Sequence, residues 1–186
     1  DFADAAYPAV VPGRLEGRRV AVLFVGPIDR GVSFAIGKAV RDAGGTVGRT
    51  RSIGVPIDVK AIQEALRRQP TFRRLLGAEH LGDLGTELAE ELADGGPTPL
   101  WDTLGGIIVQ ERQGSATPPA DALVVVRTAE PQQGSTKSFL AGVYAGLARS
   151  GPPAVGTEAS GTTSSAIPAF SLAGLSTVDS VDTAAG

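Results

Sequence analysis

His80 sets the first limit on the chemistry of this chain, because its 186 residues contain one histidine, no cysteine and no methionine. Thiolate nucleophiles, disulfides and redox thiol pairs are therefore excluded. Cu(I) favours thiolate, thioether and imidazole ligands, and zinc favours Cys and His, so His80 alone could serve either metal. A Ser–His–acid relay would have to use the same His80, and no Gly-x-Ser-x-Gly elbow occurs. No Asp-x-Asp-x-Asp-Gly loop marks a calcium site. Acidic residues are scattered, and the densest group, Glu87, Glu90 and Glu91, reads as the solvated face of a helix. His80 follows Glu79 at the start of that helix, where a surface or packing role is expected. The expectation is a non-enzymatic domain with no catalytic residue, no metal ligand set and no cofactor.

Two loops remain as candidates for binding. The first is Gly26-Pro27-Ile28-Asp29-Arg30-Gly31 with Ser33, and the second runs over residues 128–136 with Glu130, Gln133 and Ser135. Each joins an apolar run to a helical pattern, where glycines, hydroxyls and free N–H groups favour anions. The candidate ligand-binding residues are thus Gly26, Asp29, Gly31, Ser33, Glu130, Gln133 and Ser135. Neither loop is a phosphate-binding motif: Pro131 and Thr136 stand where a P-loop ending at Lys137-Ser138 needs glycine, and the spacing of Gly26 and Gly31 is not Gly-x-Gly-x-x-Gly. The plain alternative is turn glycines and helix caps.

The elements that must position these loops follow from periodicity. Arg19 to Val25 is a continuous apolar run rich in β-branched residues, suited to a strand buried on both faces of a parallel sheet. Residues 32–43 carry apolar positions at helical spacing, closed by Gly44-Gly45. Residues 46–53 read as a more polar second strand nearer an edge. Residues 57–113 read as three helices: one capped by Asp58, one over 79–94 with Leu84, Leu88 and Leu92 as its apolar stripe, and one from Leu100 to Gln113 opened by Thr98-Pro99. Strands at 122–126, 153–156 and 176–178 then alternate with a helix over 135–149 and a weaker one over 162–173. The predicted fold is a three-layer α/β sandwich on a mainly parallel, Rossmann- or flavodoxin-like sheet of order 2-1-3-4-5, with a helical insertion after the second strand. In that order the two loops flank the switch point, where ligands bind in open α/β sheets.

A single domain over 19–186 is expected, preceded by a lead-in over 1–18. Hydrophobic residues at 42% supply a core, and aromatics at 5% leave it to aliphatic side chains. Trp101, the one tryptophan, suits either core packing or an interface with a partner. A net charge of −3 argues against nucleic-acid binding. Fourteen of the 17 basic residues are arginine, which codon bias explains as simply as phosphate recognition. No run reaches the roughly 20 apolar residues of a membrane helix. The absence of methionine makes Asp1 an unexpected native start, so an N-terminal portion is expected ahead of it.

The final segment, Leu175-Ser176-Thr177-Val178-Asp179-Ser180-Val181-Asp182-Thr183-Ala184-Ala185-Gly186, resembles the signature of the actinobacterial MctB-like proteins, also called SteB-like. The approach Val11-Pro12-Gly13-Arg14-Leu15-Glu16-Gly17-Arg18-Arg19-Val20-Ala21 and the turn Asp42-Ala43-Gly44-Gly45-Thr46-Val47 are similar to that family too, although such turns occur in many folds. The resemblance implies copper homeostasis or transport, and an N-terminal membrane helix and coiled coil ahead of a domain on the extracytoplasmic side of the envelope. It also implies an envelope or membrane protein partner, with a homodimer as one form. It transfers no catalytic or metal residue. A copper-named family and a chain this poor in copper ligands conflict, so direct copper binding by the domain is not expected. The alternative is a small-ligand or anion-binding Rossmann-like domain, with enzymatic activity open to it, that uses the two loops.

Overall fold

The computed structural model describes residues 12–115 and 118–181. Most of the lead-in, and Asp182 to Gly186 of the distinctive terminal segment, lie outside the described residues. β1 (Arg19–Val25) runs through the middle of the sheet, and Val20 to Val25 are each at most 2% exposed. It pairs in parallel with β2 (Thr46–Ile53) on one side and β4 (Ala122–Arg127) on the other. β5 (Ala154–Thr157) and β6 (Ser176–Val178) continue the parallel array beyond β4. β3 (Val109–Gly114) closes the opposite edge, giving the order β3-β2-β1-β4-β5-β6. The five parallel strands keep the predicted order.

Helices cover both faces, making three layers. α1 (Arg30–Asp42) packs Val32, Ile36 and Val40 on Val20, Val22, Phe24 and Val126. The larger core on the other face gathers α2 (Val59–Arg67), α3 (Leu81–Asp94), α4 (Pro99–Thr103), α5 (Gly134–Arg149) and α6 (Ile167–Leu172). The stripe Leu84, Leu88 and Leu92 is at most 2% exposed, as its helical spacing requires. α3 and α5 approach so closely that a Cβ on Gly142 would stand 2.0 Å from the Gly82 carbonyl oxygen. Any larger residue there must part the two helices. Among the described residues, no helix is long and apolar enough to cross a membrane.

Residues 57–113 depart from the three-helix expectation. The helix expected from Leu100 to Gln113 stops at Thr103, and the chain turns through Gly105-Gly106 into β3, which pairs antiparallel with β2. The β-branched Ile107-Ile108-Val109 and the open edge of β2 together favour a strand over further helix. Glu91 also leaves its expected solvated role. Its carboxylate accepts from Leu100 N at 3.0 Å and Trp101 N at 3.2 Å, so it caps α4 in place of the Thr98 side chain.

β3 also explains the polarity of β2. Arg49 and Arg51 are 4% and 3% exposed in a strand that is one place in from the edge. Arg49 Nη1 donates to Leu92 O at 3.0 Å and its Nη2 to Pro118 O. Arg51 Nη1 donates to Gln113 O at 2.6 Å. Buried guanidinium groups persist when carbonyl oxygens accept their N–H hydrogen bonds. Burial, followed by the nearby charge of Arg19, lowers the pKa of Arg49.

Candidate functional site: a closed seam and an open groove

The loops after β1 and β4 meet at the switch point, as their places in the sheet require. They meet as a seam. Gly26 is buried with φ 107°, and a Cβ there would lie 2.7 Å from both Ala129 N and Thr128 Oγ1. Thr128 Oγ1 donates to Pro27 O at 2.7 Å, while Thr128 N and Ala129 N donate to Val25 O at 2.9 and 3.0 Å. Ser52 Oγ donates to Gly26 O at 2.8 Å from the β2 side. These bonds hold the two loops against each other where a ligand crevice was expected.

The candidate residues divide around this seam. Asp29 accepts from Val32 N at 2.9 Å, so its carboxylate caps α1. Gly31 is exposed in the first turn of α1, and Ser33 is half-buried beside a hollow of about 390 Å³ lined also by Ile28, Arg30, Phe34 and Gln113. Glu130, Gln133 and Ser135 are exposed around the start of α5. Gln133 lines a different hollow, between α5 and α6. Ser33 and Gln133 therefore do not converge on one ligand position. Trp101 is 1% exposed and donates from Nε1 to Leu88 O at 2.9 Å. Its ring fills the core and its one polar atom is paired, so the core role replaces the interface contact.

The hollow between α5 and α6 encloses about 440 Å³. Leu140, Tyr144 and Ala145 from α5 face Ala169, Leu172 and Ala173 from the α6 side. Leu172 is 91% exposed, a large apolar side chain left on the wall of an apolar groove. α6 is seated by Phe170, fully buried, whose ring meets Tyr144 edge-on with centroids 4.9 Å apart. The buried Glu158 fixes its start by accepting from Ala166 N at 2.6 Å and from Ser165 Oγ at 2.7 Å.

Polar groups share the lining of this groove. Arg127 lines it, donating from Nη2 to Ser164 O, and its Nε is buried without an acceptor among the described residues. Gln133, from the β4–α5 connection, and Lys137, in the first turn of α5, line it as well. Burial pushes the Tyr144 hydroxyl up to about 12, against the opposing pull of the Arg127 charge, so it remains a neutral donor at physiological pH. Sequence reading named Gln133 here but not Arg127, Lys137, Tyr144 or Leu172. The exposed Leu172 follows from how α6 seats on the sheet, and local periodicity holds no trace of it.

His80 lies in a third hollow, of about 430 Å³, with Arg74, Asp83, Glu87 and Arg149 among its lining residues. His80 Nδ1 is 2.9 Å from Asp83 Oδ2, and Arg74 pairs with Glu87 through two contacts, the Nη2–Oε2 one at 2.8 Å. Among the described residues, no three His, Cys, Asp or Glu side chains are grouped to hold a metal ion. One imidazole with hard carboxylate neighbours and two guanidinium groups is a poor donor set for Cu(I).

In a comparison with protein families, the profile described as "Copper transport outer membrane protein, MctB" matches residues 1–186. No curated protein matches the chain.

Proposed function

We propose, from the premise that the chain belongs to the MctB family of copper transport outer membrane proteins, that this domain is a non-catalytic, partner-binding module of the cell envelope whose part in copper homeostasis is indirect. The observation that carries this reading is the donor set. The chain has no sulfur ligand and one imidazole, and that imidazole is already beside Asp83 in a hollow shared with Arg74 and Arg149. Copper is cargo for such a family, and a domain that selects Cu(I) needs soft ligands. The domain then acts by holding another envelope component, and an anchor ahead of the present residues would keep it on the extracytoplasmic side.

Expression of the isolated domain in cells that also carry the full-length protein tests this. Exported to the envelope, the domain should compete for the partner and raise copper sensitivity, whereas the same domain kept in the cytoplasm should be inert. Equal copper tolerance in both cases would count against a partner-binding role. A full-length His80→Ala variant should restore copper tolerance to a deletion strain as well as the wild type does. Failure of that folded variant would make the copper role direct. A second reading, small-ligand binding, is favoured by the size and chemistry of the α5–α6 groove.

A further inference from the structure

We propose that the α5–α6 groove binds a single-chain amphipathic carboxylate, its anionic head against Arg127, Tyr144 and Lys137 and its apolar chain between Leu140 and Leu172. The inference gives a ligand class to the second reading above and is independent of whether copper acts directly. Its first support is shape: a hollow of about 440 Å³ lies within the roughly 300–1,000 Å³ that small-molecule sites occupy. Its second is the composition of the lining, which mixes aliphatic and aromatic side chains with an arginine, a lysine and a tyrosine.

The groove lining holds an unmet donor. A buried guanidinium N–H without an acceptor is costly, and Arg127 Nε is such a group among the described residues. A carboxylate suits it, because guanidinium groups offer paired donors in a plane that matches two carboxylate oxygens. The Tyr144 hydroxyl, neutral below about pH 12, is a second donor of the right charge state. Lys137 forms no ion pair among the described residues and lines the groove. Net charge separates a free single-chain acid from a membrane surface. The chain carries −3 overall, so it has no broad basic field to draw it onto anionic lipid, and two cations at one groove suffice for one head group. Leu172, 91% exposed in this structure, becomes covered when an alkyl chain lies along it.

Calorimetric titration of the domain with laurate tests the assignment, with lauryl alcohol and phosphatidylglycerol vesicles as parallel arms. Saturable one-to-one binding of laurate is expected, with the alcohol at least about tenfold weaker because it lacks the charge-assisted bonds. Arg127→Gln should weaken laurate by roughly tenfold or more. Leu172→Ser, at a solvent-facing position that leaves folding intact, should weaken it by about threefold to tenfold. If Arg127→Gln does not fold, Lys137→Gln and Leu172→Ser carry the test, each being required to weaken binding. No saturable laurate binding, equal affinity for the alcohol, affinity unchanged in the folded variants, or binding to vesicles alone would each overturn the proposal.

Discussion

The connection leaving β4 takes part in two junctions that differ in almost every physical respect. Towards β1 it makes the seam, where Gly26 has no room for a side chain and Thr128 bonds across to Pro27. Towards α5 and α6 it borders a groove of about 440 Å³ lined mainly by apolar side chains, with Arg127 and Lys137 among them. The rule that ligands bind at the switch point of an open sheet points to the first junction. In this molecule, small residues and short hydrogen bonds fill the seam between the two loops, and the mainly apolar groove lies one strand over. Topology tells where two loops meet, whereas residue size decides whether space remains between them.

Substitutions can break this contrast. Gly26→Ala should have the largest effect, because it combines strain at positive φ with a forced contact on Ala129 and Thr128. A loss of about 3 kcal/mol or more in denaturant unfolding is expected. Alkaline unfolding comes next. The Tyr144 hydroxyl titrates near 10 when unfolded and at about 12 when folded. Its contribution is therefore complete below about pH 10 and is lost as pH rises towards 12, amounting to about 2–3 kcal/mol. A Tyr144→Phe variant should lack that part of the pH dependence. Thr128→Val removes the hydroxyl bridge and should cost about 1 kcal/mol, read from the denaturation midpoint. Smallest of all, Leu172→Ser should change stability by no more than about 0.5 kcal/mol, which would show that this side chain does not hold the fold together. A large loss at Leu172 with none at Gly26 would reverse the assignment of closed and open junctions.

Much of this architecture is legible in the sequence, and the reasons are local. The run through β1 can only be buried on both faces, and the Leu84–Leu88–Leu92 stripe must face a core. Asp58 caps its helix as read, accepting from Ala61 N at 3.0 Å, whereas Asp29, read as a candidate ligand residue, caps α1. The strand β3 is less legible, since its stability comes from pairing with β2 rather than from its own pattern. The same holds for Glu91, which looks solvent-facing until α4 folds back onto it. Trp101 is ambiguous in sequence because a lone tryptophan suits a core as well as an interface, and only packing decides. Of the candidate site, the β4–α5 connection was visible through its glycine and hydroxyl groups. Its apolar partner surface depends on a six-residue helix, α6, whose placement rests on Phe170 and Glu158. The family resemblance was visible in the terminal segment, and the profile match over residues 1–186 shows it for the whole chain.

The most direct test of the indirect copper role is an anaerobic Cu(I) titration of the purified domain in the presence of a competing chelator of known affinity. With His80 as the sole soft donor, the account predicts no stoichiometric site of sub-micromolar affinity and the same result for His80→Ala. A one-to-one site tighter than micromolar, lost in His80→Ala, would contradict it and make this domain a copper carrier in its own right.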